Sequence, residues 1–383
     1  MRKSAWQWMH TELESLKERA QFRSLVESEL QEQGWLLRDG QRMLNLASND
    51  YLGLQQRSGI ADARMGATAS RLIVGNDPVY RQFEEEFARF KGTESCLLFS
   101  SGYMANVGAI PALIGRHDIV FSDRLNHASI VDGIVLSRAE HLRYRHRDLR
   151  HLESLLCKAD PGSKKLIVTD SIFSMDGSIA PLEELVELKD RYGAMLMVDE
   201  AHSGGLYGEQ GQGLVHELGL TERVEIQMGT FSKAYGGYGA YIAGDEVLKQ
   251  YLVNKARSLI YTTALPPAVI DSVRRSWLQV REEDWRRKEL SRKSAWFRDA
   301  LQRRGFDTGE SECHIIPLLL GSNEQTVHFS EKLQQAGIAA VAIRPPTVPE
   351  GTGRIRFTLM ATHRDEDLQW AVEEIDRAGR DLG

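Results

Sequence analysis

The sequence predicts an α/β protein: a large domain on a mainly parallel sheet, followed by a small carboxyl-terminal α+β domain. Three observations carry this. Ser95-Cys96-Leu97-Leu98-Phe99, Leu166-Ile167-Val168-Thr169 and Ala194-Met195-Leu196-Met197-Val198 are short apolar runs, as expected of strands covered on both faces. The last run empties into Asp199-Glu200-Ala201-His202, and a further strand, Val224-Glu225-Ile226-Gln227-Met228, empties into Gly229-Thr230-Phe231-Ser232-Lys233. Finally, the pattern changes near the carboxyl terminus. Cys313 to Leu320, Ala339 to Ile343 and Arg354 to Leu359 read as strands, with helices near 323–336 and 364–379, the make-up of an α+β unit. The expected division is 1–45 for an amino-terminal helical segment and hairpin, 46–280 for the large domain and 281–383 for the small one.

Composition sets the class. The chain has 383 residues, 42% hydrophobic and 27% charged, with a net charge of −6. Those fractions suit a globular enzyme, and the acidic balance argues against general affinity for nucleic acid or anionic membrane. Apolar runs fall short of the ~20 residues that span a bilayer. The start, Met1-Arg2-Lys3-Ser4-Ala5-Trp6, lacks the apolar core of a signal peptide, so the cytoplasm is the expected compartment. Cys96, Cys157 and Cys313 form no CxxC pair and read as free thiols with no metal role.

In chain order, residues 4–33 carry Leu13, Leu16, Leu25 and Leu30 in a polar background and predict one or two amphipathic helices. Trp35-Leu36-Leu37 and Met43-Leu44-Asn45-Leu46 flank Asp39-Gly40, a hairpin signature. Ser48-Asn49-Asp50-Tyr51 reads from its residue types as an Asx turn before a helix. Phe83, Phe87 and Phe90 share one helical face. After Phe99, Ser100-Ser101-Gly102-Tyr103 opens a helix whose free N–H groups suit a phosphate. A strand from 118 to 123 leads to Asn126-His127-Ala128-Ser129. Residues 138–151 gather Arg138, Arg143, Arg145, Arg147 and Arg150; such a run is usually a solvated face, although an acidic carrier protein or coenzyme A phosphates could dock on it. Pro181-Leu182 opens a helix, and residues 271–305 predict one long helix.

The chemistry centres on Asp199 and Lys233. Ligands in open α/β sheets bind beyond the carboxyl ends of the strands, where both residues would stand. A lysine amine can condense with the aldehyde of pyridoxal phosphate, and a carboxylate can keep its pyridine nitrogen protonated so that the ring accepts electrons. Thr230 and Ser232 supply hydroxyls for a phosphate, and His202 could reach the ring's phenolic oxygen. Taken singly, such an Asp can equally cap a helix and such a Lys can be solvated in a loop.

Asp199-Glu200-Ala201-His202 together with Thr230-Phe231-Ser232-Lys233 resembles the α-oxoamine synthases, pyridoxal-phosphate enzymes of the aspartate-aminotransferase fold type. These condense an amino acid with an acyl thioester and release carbon dioxide. The resemblance runs through nearly the whole chain, including Phe173-Ser174-Met175-Asp176-Gly177. It implies a catalytic Lys233, with Asp199 at the ring nitrogen and His127 stacked on the ring beside the substrate. It implies cofactor contacts from Gly102, Tyr103, Ser174, His202, Thr230 and Ser232. It also implies a homodimer with shared sites, in which Thr262 of the 261–267 loop serves the partner's phosphate. Substrate contacts are implied for Arg23, Asn49, Arg344 and Thr347. Ile343-Arg344-Pro345-Pro346-Thr347-Val348-Pro349 is similar to the biotin-pathway branch of the family, implying L-alanine and a pimeloyl thioester. Sister branches use glycine or serine. An aminotransferase of the same fold or a non-catalytic subunit are the more distant alternatives, the latter expected to lack Lys233. Residues 68–75 depart from the family, which usually has a glycine-rich run there, and Tyr80 stands where relatives carry His.

Overall fold

Residues 7–55 and 64–380 are described by the computed structural model; residues 4–6 of the expected first helix lie outside them. Two compact units divide the chain. One takes Leu54–Ser174 and Ile179–Arg287, the other Met1–Gly53, Met175–Ser178 and Lys288–Gly383.

The larger unit is built on a seven-stranded sheet in the order Ser95–Phe99, Ala240–Gly244, Ile226–Thr230, Met195–Asp199, Lys165–Asp170, Ile119–Asp123 and Glu140–Tyr144. Ala240–Gly244 runs antiparallel to both of its neighbours, and the other pairings are parallel. Alternate residues of one strand enter different cores. Val120 and Met197 pack on one face with Ile110 and Ile134, while Phe121, Leu196 and Val198 pack on the other with Leu152 and Leu185. This two-sided burial is why the strands read as continuous apolar runs.

The helices begin where the sequence signals them. Asp77 caps Pro78–Lys91 by accepting from the Val79 N–H at 3.1 Å, with Pro78 at the first helical position. Ser101 caps Gly102–Leu113 by accepting from Met104 N–H at 3.2 Å. Pro181 sits one place earlier than expected, as the residue before the Leu182–Tyr192 helix rather than within its first turn. The expected long helix over 271–305 is instead two, Pro267–Glu282 and Asp284–Gln302, broken at Glu283 with φ −100° and ψ 64°. Three consecutive acids occupy the junction, and Asp284 is more favourable in the first turn of a new helix than at the last turn of the old one.

The second unit holds two small sheets. Glu29–Leu30, Trp35–Arg38, Gln41–Asn45 and Ile338–Ala339 form one, and Ile315–Gly321, Gly353–Thr358 and Ala342–Ile343 the other. The hairpin turns at Asp39 and Gly40, both at positive φ (49° and 78°), as a tight primed turn requires. The strand expected over Ala339–Ile343 is two short ones that join different sheets. The amino-terminal expectation is also corrected. One helix, Gln7–Glu18, is followed by Ala20 at φ 51°, and residues 21–28 carry no regular secondary structure. Leu25 is fully exposed and Leu30 lies in a strand, so neither extends the helical face of Leu13 and Leu16, and Arg23 is outside the helix.

A buried ion pair braces the larger unit. Lys91 Nζ, at the end of its helix, donates to Glu200 Oε2 and to Gln212 O, each at 2.5 Å, and both side chains are fully buried. Glu200 Oε1 also accepts from Val215 N–H at 2.9 Å. Lys91→Met should therefore destabilise the protein by about 3–5 kcal/mol in a urea titration, because Glu200 is left charged and uncompensated. Adding Glu200→Gln should recover part of that loss; a Lys91→Met protein as stable as the parent contradicts the brace.

Candidate active site

The carboxyl ends of the central strands deliver the site. Asp199 ends Met195–Asp199 at 3% exposure. Its Oδ1 accepts from Ala201 N–H at 2.9 Å, and its Oδ2 accepts from Asn106 Nδ2 at 3.0 Å. Asn106 Nδ2 also donates to Ser129 Oγ at 2.9 Å, and Ser129 Oγ lies 2.8 Å from His127 Nδ1. His127 caps the Ala128–Ser137 helix, its Nδ1 accepting from Ser129 N–H at 3.2 Å. Acceptance at Nδ1 leaves Nε2 as the protonated nitrogen of a neutral ring. Desolvation lowers the His127 pKa, with Asp199 opposing the shift and Lys233 adding to it.

Lys233 follows the Ile226–Thr230 strand in a short loop fixed by aromatic anchors. Phe231 lies 5.2 Å from Phe87 and 5.3 Å from Tyr241, while Tyr235 lies 6.1 Å from Phe87. Gly236 turns the loop at φ 59°, where an added Cβ would strike the Leu54 carbonyl carbon at 2.8 Å. Lys233 Nζ is 2.8 Å from His202 Nε2. Thr230 Oγ1 donates to Gly239 O at 2.9 Å and lies 2.9 Å from Ser232 Oγ.

Together these residues line a cleft of about 200 Å³ that brings together Gly102, Tyr103, His127, Asp199, His202, Thr230, Ser232 and Lys233. Asn106, Ser129 and Asp170, none of them expected at this site from the sequence, share it. Each is an ordinary residue type, and only the strand order makes them neighbours. Asp170 did carry a signal: it too ends an apolar run, and it pairs in register with Asp199. Burial, and next the Asp199 carboxylate, push its pKa well above the usual range.

Ser174 is not among the residues lining the cleft. Thr262 lines a separate small pocket with Arg71, Tyr80 and Ser100. Tyr80 is a structural residue here, its hydroxyl donating to Leu265 O at 3.2 Å and its ring stacked under the Arg71 guanidinium at 4.0 Å. Arg23, Asn49, Arg344 and Thr347 belong to the other unit. There Arg23 Nη2 donates to Thr347 Oγ1 at 3.2 Å, and Arg344 donates to Ala20 O. Desolvation, and next the Arg23 charge, lower the Arg344 pKa. Asn49 Oδ1 accepts from Arg356 Nη2 at 2.9 Å.

The cleft fits pyridoxal phosphate. It joins an amine, a buried carboxylate and an imidazole to the amino-terminal end of the Gly102–Leu113 helix and two hydroxyls. Among the described residues, Asn106 Oδ1 is buried without a hydrogen-bond partner, a further acceptor left for a bound group.

Comparison with known proteins agrees. The chain belongs to the aminotransferase class I and II family, whose model matches residues 41–375. Its cofactor is pyridoxal 5'-phosphate, and it is a pyridoxal-phosphate-dependent acyltransferase. Among its relatives, a protein of Bacillus mycoides named "Putative 8-amino-7-oxononanoate synthase" is 53% identical over 384 residues, covering 98% of this chain and 97% of that one. A Bacillus anthracis protein of the same name is 52% identical over 382 residues, covering 97% of each. Solved structures that resemble it include a serine palmitoyltransferase from S. paucimobilis with bound PLP (TM-score 0.92, 27% identity, 100% of this chain and 99% of that one). An 8-amino-7-oxononanoate synthase from Francisella tularensis matches at TM-score 0.75 with 29% identity, over 88% of this chain and 98% of that one.

Borohydride added to the cofactor-loaded protein should fix the cofactor covalently on Lys233, read by peptide mass mapping. Lys233→Ala should fold normally, take no label and show no turnover. Label on a different lysine contradicts this site.

Proposed function

We propose that the protein condenses L-alanine with a pimeloyl thioester, releasing carbon dioxide and the thiol to give 8-amino-7-oxononanoate for biotin biosynthesis. The observation that carries the chemistry is the convergence of Lys233, Asp199 and His127 on one cleft. The choice of substrates is supported by Arg344-Pro345-Pro346-Thr347 and by the names of relatives about 53% identical over nearly the full chain.

Pyridoxal phosphate, when bound, supplies an electron sink for the charge left on a deprotonated α-carbon. The residues divide the remaining work. Lys233 would hold the cofactor's aldehyde carbon, and its amine would serve as the base for the α-proton of alanine and the acid that returns a proton to the product. Asp199, buried and braced by Asn106 and Ala201, keeps the ring nitrogen protonated. His127, which lines the same cleft, is assigned to stack on the ring, where a neutral imidazole would add no repulsion to a cationic ring. Thr230, Ser232 and the N–H groups of Gly102 and Tyr103 hold the phosphate, the last two with the helix dipole behind them. Ser174 and His202 are assigned to the phenolic oxygen. Arg344, with Arg23, Asn49 and Thr347, is assigned to the substrate carboxylate and the acyl donor.

A homodimer with shared sites belongs to the same reading. Leu72, Ile73 and Val74 are 50–74% exposed, and the backbone N–H of Ala264 bonds to Ala69 O at 3.0 Å. This puts an apolar patch beside the 261–267 loop, as an interface would need. Thr262 is assigned to the partner's phosphate. The acyl group rides on coenzyme A or on an acyl carrier protein.

One observation favours a second reading: the likeness to serine palmitoyltransferases at TM-score 0.92 points to a sister enzyme using serine or glycine. A screen of amino acids with pimeloyl thioesters, read by product mass, separates the two. L-Alanine should give the 8-amino-7-oxononanoate mass, and glycine or serine outcompeting it would move the protein to a sister activity. In the same assay, Arg344→Ala should raise the alanine requirement about ten- to a hundredfold, the worth of a lost charge-assisted pair. Cofactor affinity should hold; an unchanged alanine requirement removes Arg344 from the carboxylate site.

A further inference from the structure

Asp170 does not act on the chemistry in the reading above, yet it touches the loop that carries His127. Its Oδ2 accepts from the backbone N–H of His127 at 2.8 Å. Its own N–H donates to Asn126 Oδ1 at 3.1 Å, and Asn126 Nδ2 donates to Val168 O at 2.7 Å. Three bonds therefore lace residues 126–127 to the end of the Lys165–Asp170 strand. Asp170 is 3% exposed and Asn126 8% exposed.

We infer that Asp170 is a positioning residue: its carboxyl group, locked to the sheet by Asn126, clamps the His127 backbone and so fixes where the imidazole stands in the cleft. The geometry favours this role. His127 is the capping residue of its helix, with φ −57° and ψ 146°, so its ring direction follows from a backbone conformation that is not helical. The helix fixes that backbone from one side only, and the Asp170 clamp fixes it from the other. The ring nitrogen is tied back by Ser129, so a slip of the backbone would also break the Ser129–Asn106–Asp199 chain. The adjacent Asp199 disfavours a second negative charge here, and the raised pKa of Asp170 fits a neutral carboxyl acceptor. A neutral amide can then take its place, because a carbonyl oxygen accepts the same N–H.

The inference rests on His127 contacting the cofactor, so the test is a cycle that separates the two claims. Pyridoxal phosphate affinity is measured by fluorescence titration of wild type, Asp170→Ala, Asp170→Asn, His127→Ala and the double variant Asp170→Ala/His127→Ala. Melting temperatures are taken alongside. Asp170→Ala should weaken binding about tenfold, the scale of one lost hydrogen bond, while Asp170→Asn stays close to wild type. The double variant should bind no worse than His127→Ala, because Asp170 acts only through that ring. If Asp170→Ala does not fold, Asn126→Ala takes its place in the cycle and is read in the same way. Additive losses, or a clamp variant that binds like wild type while His127→Ala is weakened, overturn the clamp alone. Normal binding by His127→Ala overturns the cofactor contact and the clamp with it.

Discussion

A carboxylate with 3% exposure at the end of the central strand is the constraint on which the site turns. Burying an ionised group is costly unless hydrogen bonds or an opposite charge replace its water. Asp199 receives one bond from Ala201 N–H and one from Asn106 Nδ2, both from neutral donors. Such a group is prepared for a cation arriving in the cleft, and a protonated pyridine ring is one. Asn106, Ser129 and His127 then follow as a connected set, each held by the next.

Behind the cleft the support is stiff. The Lys91–Glu200 pair fixes the residue directly after Asp199 and ties it to Gln212 and Val215. The aromatic nest of Phe87, Phe231, Tyr235, Tyr241 and Trp277 holds the loop on either side of Lys233. Phe231 and Tyr235 are thus anchors as much as spacers, with the lysine standing between them. A reactive amine and its partner carboxylate need this kind of fixed placement, since small displacements of reacting groups lose large factors in rate.

Much of this was legible in the sequence, for physical reasons that differ by residue. The strands were readable because both faces are buried, and Asp199 and Lys233 because each follows such a run. Asn106, Ser129 and Asp170 were not singled out. Their importance comes from strand order, which sets Lys165–Asp170 beside Met195–Asp199, and from a helix that turns Asn106 toward that edge. The amino-terminal segment misled for another reason. Leu25 and Leu30 resemble a helical face by composition, but Ala20 leaves the helix at positive φ and Leu25 is left in solvent. Tyr80, a departure from the pattern of the resembling family, is buried, and its hydroxyl ties its helix to the Leu265 carbonyl.

The most direct measurement is on Asp199→Asn. The amide is close in shape and can still accept from Ala201 N–H, but it cannot hold a ring nitrogen protonated. Spectrophotometric titration should show the cofactor still bound, while turnover with the preferred amino acid and thioester falls about a hundredfold or more, as when a preorganised charge is removed from a transition state. Near-normal turnover with bound cofactor would contradict the account and make Asp199 a residue of the fold alone.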